Sequence, residues 1–172
     1  DSVINQYYHG SFLPTWYNYP SIIFYISYFD YAIWDLGLKK IFSDFNIFNR
    51  SVFFIISQIP AIFIFNYFRG KSKSWIGILA ALVFFSSWEY HYHSRWVAPD
   101  TIAAALGCMS VFFGIKKSIF WSVIFAGLAF GTKYTAGIFI FPLFILFYHS
   151  NFRILLKIYL FFFFGVLCVF IV

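Results

Sequence analysis

The sequence from Ser51 to Phe68 reads SVFFIISQIPAIFIFNYF and contains no charged residue. About 20 apolar residues are needed to cross the roughly 30 Å of hydrocarbon in a bilayer. A single charge at the bilayer centre costs about 2.5–3.5 kcal/mol on insertion scales. The stretch therefore predicts a membrane-spanning helix, bounded by Arg50 on one side and Arg69 on the other.

The composition of the whole chain supports a membrane protein. Of 172 residues, 62% are hydrophobic and 10% are charged, and the mean hydropathy is +0.81. Soluble domains carry about 25% charged residues, so a water-soluble globule, a disordered tail and a disulfide-stapled secreted module are excluded. Cys108 and Cys168 lie in apolar runs and are interpreted as packing residues. The net charge is +6, but no basic run in the sequence is longer than two residues. This pattern favours membrane lipids over nucleic acid as a partner.

Five further apolar runs are predicted to span the membrane, giving an all-α, polytopic transmembrane helical bundle with about six spans. These runs are Trp75–Tyr92 apart from Glu89, Thr101–Ile115, Ser118–Thr132, Tyr134–Tyr148 and Ile158–Val172. Short basic loops separate several of them, at Arg69–Lys73, Lys116–Lys117 and Arg153–Lys157.

The segment from Ser118 to Tyr148 decides the topology. As one helix its 31 residues would be about 46 Å long, too long for an ordinary span. As a hairpin that turns at Lys133, it gives two short spans and places all three basic loops on the cytoplasmic side, as the positive-inside rule favours. The hairpin is therefore predicted, and all six acidic residues then lie on the opposite side.

The first 50 residues differ from the rest. Ser21–Leu38 is apolar but contains Asp30 and Asp35, which argues against a lipid-buried span. A helix lying along the membrane interface fits better, with Tyr25, Tyr28, Tyr31 and Trp34 at headgroup depth; a tilted span is the alternative. We predict a first extracytoplasmic loop over 1–50 and a transmembrane region over 51–172, both belonging to a longer protein.

The densest polar cluster runs from Ser86 to Asp100 and reads SSWEYHYHSRWVAPD. Pro99 suits the first turn of a helix, and Asp100 would complement that helix's N-terminal dipole, paired with Arg95. Ionisable groups at membrane depth are more often functional. His91 and His93 are two residues apart and face different sides of a helix, so they are a weak signal for a metal.

Lys133 stands alone between two apolar arms. The lysine could simply extend to the headgroups, or it could bind an anionic headgroup or phosphate. Each arm is about 15 residues, or roughly 22 Å, so the turn should lie below the outer surface. A buried lysine needs a partner, which favours the functional interpretation.

Three segments in order resemble a known family. These are YPSIIFY from Tyr19 to Tyr25, SRWVAPD from Ser94 to Asp100, and GLAFGTKYTA from Gly127 to Ala136. They resemble motifs of the GT-C membrane glycosyltransferases related to dolichyl-phosphate-mannose–protein mannosyltransferases and lipid A aminoarabinose transferases.

The resemblance implies transfer of a sugar from a polyprenyl-phosphate donor to a hydroxyl acceptor on the non-cytoplasmic face. For such a reaction we assign Arg95 and Lys133 to the donor phosphate, because cations stabilise the charge that develops there. Asp100 is the predicted catalytic residue, which would orient Arg95 or contact the sugar or acceptor, and His93 and Tyr19 are predicted to bind substrate. The family's general base is expected upstream of Asp1. Asn18-Tyr19 replaces the Glu-Lys of some relatives, which leaves a divalent cation open. A transporter or scaffold subunit, with Arg95, Asp100 and Lys133 along a substrate path, and a lipid-linked polymerase or ligase are the alternatives.

Overall fold

The structure, a computed structural model, describes residues 2–10, 22–71 and 74–147, together with 156–157, 160 and 162–163. Over these ranges the chain is helical and contains no strand. The α-helices are α1 (Ser2–Tyr8), α2 (Ile22–Leu36), α3 (Phe45–Arg69), α4 (Ser74–Phe85), α5 (Trp88–Ser94), α6 (Pro99–Ile115), α7 (Ile119–Phe130) and α8 (Ile140–Phe147), with 3-10 helices at Leu38–Lys40 and Tyr134–Phe139.

Helices α1, α2 and α3 pack around a cluster of aromatic side chains. Tyr31 and Trp34 of α2 are buried against Phe45 and Phe48 of α3, and the indole N–H of Trp34 donates to the Phe42 carbonyl at 2.7 Å. Offset and edge-to-face ring pairs of this kind add to the free energy gained from burial.

The α2 helix matches the predicted interfacial segment, but its aromatic rings do not lie where the sequence predicted. Tyr28, Tyr31 and Trp34 are buried inside the protein rather than exposed at headgroup depth. The reason is that α1 and the start of α3 cover one face of α2, and the rings gain more by packing there than by facing the interface.

Helix α3 begins at Phe45, where the Asp44 carboxylate caps it by accepting from the Asn46 N–H at 2.8 Å. The predicted span Ser51–Phe68 is the interior of this longer helix. Pro60 lies within it and removes one backbone donor. The Tyr90 hydroxyl of α5 donates to the Ser57 carbonyl in the turn before this proline and so links α5 to α3.

The predicted span Trp75–Tyr92 is not continuous. Helix α4 ends at Phe85, Ser86 and Ser87 interrupt it, and α5 starts at Trp88. Serine competes with helix formation through local hydrogen bonds, and the Ser86 hydroxyl donates to the Val83 carbonyl at 2.8 Å. The sequence prediction missed this break because it counted charges and not serines.

Helices α6 and α7 pack closely in antiparallel fashion through small residues. Near the turn that joins the two helices, the Ser110 hydroxyl donates to the Ser122 carbonyl and the Ser122 hydroxyl donates to the Ser110 carbonyl, both at 2.7 Å. Both serines are fully buried. Small and hydroxylated residues serve this purpose in membrane helices, because they allow close approach and satisfy each other.

The chain turns back after α7, at the position that the sequence predicted. Helix α7 ends at Phe130, and Lys133 directly precedes the 3-10 helix that leads into α8. Val123 and Ala126 of α7 then pack against Leu143 and Phe147 of α8. The two arms form a hairpin and not one long helix.

Among the described helices, α3 is long and apolar enough to cross a bilayer by length and composition. Four other apolar stretches are shorter, at Ser74–Phe85, Pro99–Ile115, Ile119–Phe130 and Tyr134–Phe147. The all-helical class is therefore established, whereas the count of six spans stays a prediction. Most of the predicted last span, Ile158–Val172, lies outside the described residues.

Candidate functional site

The start of α6 places an acidic side chain at the end of the helical bundle. Ala98 is extended and Pro99 occupies the first turn, where proline loses no helical hydrogen bond. Asp100 follows in the same turn, with 48% of its side chain exposed. Its carboxylate lies at the N-terminal end of α6, where the helix dipole is positive.

Lys133 reaches this carboxylate from the opposite side. Its ammonium group donates to Oδ1 of Asp100 in an ion pair between residues 33 positions apart in sequence. The lysine side chain is 30% exposed. The hairpin turn thus brings the solitary lysine to the end of α6 and gives it an acidic partner.

A cavity of about 400 Å³ opens beside the ion pair. Its lining residues come from α5, α6 and the break before α5; they are Ser87, Tyr90, His93, Asp100, Thr101 and Ala104. Thr101 is 2% exposed, and its hydroxyl oxygen finds no hydrogen-bond partner among the described groups. An unsatisfied buried hydroxyl costs free energy, so a ligand or water that binds in the cavity would be stabilised there.

The start of α2 lies at the same turn. The Ile22 N–H donates to the Gly131 carbonyl at 3.4 Å, two residues before Lys133. Tyr19, the predicted substrate-binding residue three positions before Ile22, lies outside the described residues.

Arg95 lies in a different cleft. It is the C-terminal cap of α5, and with Arg50 of α3 it lines a cleft of about 390 Å³ that shares no residue with the Asp100 cavity. The predicted pairing of Arg95 with Asp100 does not form, because Lys133 takes that position. Of the predicted site residues, the structure brings together Asp100, Lys133 and His93, and it separates Arg95 from them.

The described side chains contain no group of three or more His, Cys, Asp or Glu that could hold a metal ion. The ring of His91 stacks on Phe85 with 6.0 Å between ring centroids, whereas His93 lines the cavity. The two histidines therefore face different surroundings, as their two-residue spacing indicated.

Three residues of these two clefts were not singled out from the sequence. Tyr90 and Thr101 line the Asp100 cavity, and Arg50 lines the second cleft. Thr101 carried no distinguishing signal. Arg50 carried one, because it is the last charged residue before the charge-free run that begins at Ser51.

Comparison with known families identifies the kind of protein. The family model described as dolichyl-phosphate-mannose-protein mannosyltransferase matches residues 30–172 and so includes α3 to α8, Asp100 and Lys133. The chain belongs to this family. It is therefore a membrane glycosyltransferase of the mannosyltransferase type, and the resemblance seen in the sequence is confirmed. Neither the comparison with curated proteins nor that with solved structures gives a significant match.

Proposed function

We propose that this mannosyltransferase-family chain transfers a sugar from a polyprenyl-phosphate donor to a hydroxyl acceptor on the non-cytoplasmic face of the membrane. The observation that supports the proposal most directly is the ion pair between Lys133 and Asp100 at the mouth of a polar cavity. Family membership supports transfer chemistry over the transporter or scaffold alternative.

The chemistry needs a cation at the donor phosphate. As the acceptor oxygen bonds to the anomeric carbon, the bond from that carbon to the phosphate oxygen breaks. The lipid phosphate then leaves with one additional negative charge. An ammonium group held beside this oxygen stabilises the developing charge more strongly in a dry site than in water. We assign this role to Lys133.

Asp100 would hold Lys133 in place before the donor binds and would contact the sugar or the acceptor. The acceptor hydroxyl must lose a proton as the new bond forms, and a carboxylate is suited to accept it. His93 lines the same cavity and would donate or accept a hydrogen bond with the sugar. Tyr19 would also bind the substrate.

The membrane setting suits such a donor. A polyprenyl tail stays in the bilayer, so the phosphate and sugar must enter the cavity sideways. Lys133 is predicted to lie on the same side as all six acidic residues, opposite the basic loops. This placement supports an extracytoplasmic site, in the plasma or inner membrane if the source is a prokaryote.

The test is a transfer assay of the full-length protein in membranes, with radiolabelled polyprenyl-phosphate sugars as donors. Lys133→Ala and Asp100→Asn should each lower transfer by about 10²–10³ fold, the size typical for loss of one transition-state charge contact. The matched control is Lys39→Ala, because Lys39 forms the other ion pair of the described residues, with Asp35 at 3.7 Å.

Full activity in Lys133→Ala, with normal membrane insertion, would refute the assignment of the phosphate to this lysine. No transfer by the unaltered protein from any polyprenyl-phosphate sugar, while a nucleotide sugar is accepted, would refute the donor class. An equal loss in Lys39→Ala would indicate a general effect of removing an ion pair and would also count against the proposal.

A further inference from the structure

The cleft that contains Arg50 and Arg95 has a composition unlike that of the transfer site. Two arginines and four other residues line it, and none of them is acidic. Both arginines are exposed, and neither forms an ion pair with any carboxylate whose position the structure describes. An anion that binds at this cleft would be attracted by both cations.

The α3 side of this cleft is one continuous stripe of the helix. Ile47, Arg50, Ser51, Phe54 and Ile55 recur at the spacing that places side chains on one helical face. The Ser51 hydroxyl is already used, since it donates to the Ile47 carbonyl at 2.8 Å. The stripe therefore offers one cation and an apolar wall, and no free hydroxyl or carboxylate that would bind a sugar.

The apolar wall extends away from the arginines toward the middle of the predicted span. Phe54, Ile55 and Ile62 are exposed on α3, and the sequence carries no charge from Ser51 to Phe68. From Arg50 to Ile62 the helix rises about 18 Å, close to the half-thickness of a hydrocarbon core of roughly 30 Å. An acyl chain that spans one leaflet fits this length.

A row of three aromatic rings, Trp88, Tyr92 and Trp96, lies beside Arg50 at the end of the α3 stripe where the lipid headgroups are expected. The Arg50 guanidinium lies 5.1 Å from the centroid of the Trp96 ring. The Trp96 ring packs against Tyr92, and Tyr92 packs against Trp88, with 6.3 Å between the ring centroids in each pair. All three rings are exposed. Exposed Trp and Tyr of this kind are typical of the membrane–water interface, and the cation–π contact restricts the arginine before any ligand binds.

We propose that the Arg50–Arg95 cleft is a binding site for an anionic phospholipid of the surrounding bilayer. The two guanidinium groups bind the lipid phosphate through paired, charge-assisted hydrogen bonds. One acyl chain lies along Phe54, Ile55 and Ile62 of α3. The site shares no lining residue with the Asp100 cavity and does not depend on transfer chemistry.

The test measures lipid binding directly. The detergent-solubilised full-length protein is titrated with phosphatidylglycerol, with phosphatidylcholine and with a polyprenyl phosphate, and bound lipid is counted by native mass spectrometry. We expect phosphatidylglycerol to bind more tightly than phosphatidylcholine. The double variant Arg50→Gln/Arg95→Gln should weaken phosphatidylglycerol binding by about tenfold or more and leave phosphatidylcholine binding unchanged.

The matched control is Lys39→Gln/Lys40→Gln, which removes two exposed cations on the same predicted side of the membrane. It should retain phosphatidylglycerol binding. If the glutamine variant does not fold, Arg50→Lys/Arg95→Lys is used; it keeps the charge, loses the paired geometry and should bind phosphatidylglycerol with intermediate affinity.

Three results would overturn the proposal. The first is equal affinity of the unaltered protein for phosphatidylglycerol and phosphatidylcholine. The second is the same loss of binding in the lysine control. The third is displacement of phosphatidylglycerol by an equimolar amount of polyprenyl phosphate in the unaltered protein but not in the arginine variant, which would assign the cleft to the donor. Because no transfer is measured, these outcomes are independent of the proposed function.

Discussion

The two clefts beside α5 differ in the charges that they bring together. On one side, Asp100 and Lys133 form an ion pair of opposite charges next to His93. On the other side, Arg50 and Arg95 line a cleft without an acid. A mixed pair can orient a substrate and exchange one partner for another as charge develops, whereas two cations can only hold an anion. Under the two proposals made above, sugar transfer and lipid binding therefore use separate clefts.

The largest difference between the clefts should appear in transfer rate. Lys133→Ala removes the cation at the reacting phosphate and should lower transfer by about 10²–10³ fold. Arg95→Ala should lower it by less than about tenfold, because its cleft lies apart from the Asp100 cavity. The ratio of the two variants' transfer rates is measured from initial rates in the same membranes. Equal losses would show that the two clefts form one functional site.

A second prediction concerns the packing that brings Lys133 to Asp100. A Cβ at Gly107 of α6 would clash with the ring of Phe139, which lies in the 3-10 helix that follows Lys133. Gly107→Ala should therefore lower the free energy of unfolding by about 1–3 kcal/mol and reduce transfer. Thermal unfolding in detergent measures the first effect.

Gly37→Ala is the control for this substitution, since nothing lies within 4 Å of the Cβ position at Gly37. Unchanged stability of Gly107→Ala would mean that α6 and the 3-10 helix can separate without cost, and the fixed position of Lys133 would then need another explanation.

A third prediction tests the hydrogen bond that joins α5 to α3. The Tyr90 hydroxyl connects α5 to the Ser57 carbonyl of α3. Tyr90→Phe should cost about 0.5–1.5 kcal/mol of stability, the net value of one hydrogen bond. Tyr92→Phe, at an exposed ring on the same helix, should leave the melting temperature unchanged. A loss in Tyr92→Phe as large as that in Tyr90→Phe would contradict this account of the contact.

A fourth prediction concerns a residue away from both clefts, Asp30 of α2. Burial raises the pKa of Asp30 from 3.8 to about 7. The folded protein therefore holds a proton that the unfolded chain releases, so this residue lowers stability as pH rises from about 4 to 7. Asp30→Asn should flatten the dependence of the melting temperature on pH over that range. A dependence as steep as in the unaltered protein would show that Asp30 is not its source.

Sequence reasoning predicted the turn at Lys133 for two reasons. The 31 residues from Ser118 to Tyr148 are too long for one span, and a turn there keeps the three basic loops on one side of the membrane. The contact between Asp100 and Lys133 was not predicted, although both residues were. They are 33 positions apart, and local spacing made Arg95 the nearer partner. The choice between two cations depends on how α6 and α7 pack, which residue periodicity does not specify.

The aromatic residues of α2 illustrate a second limit. Tyr31 and Trp34 suit either a membrane interface or a protein core, since both rings are amphipathic. Only the presence of α1 and α3 on the same face decides between these environments. Likewise, Thr101 acquires significance only because the fold buries its hydroxyl beside Asp100.

The reciprocal serine bonds between α6 and α7 have a consequence for how the protein could be controlled. Ser110 lies ten residues beyond Asp100, and Ser122 lies eleven residues before Lys133, so the bonded serines sit about 15 Å below the ion pair on each helix. Sliding one helix by a single turn would displace the acid from the lysine by about 5.4 Å. A substitution, lipid or neighbouring subunit that disturbed these serine hydrogen bonds would thus separate Asp100 from Lys133 at the other end of the helices, without contacting either residue.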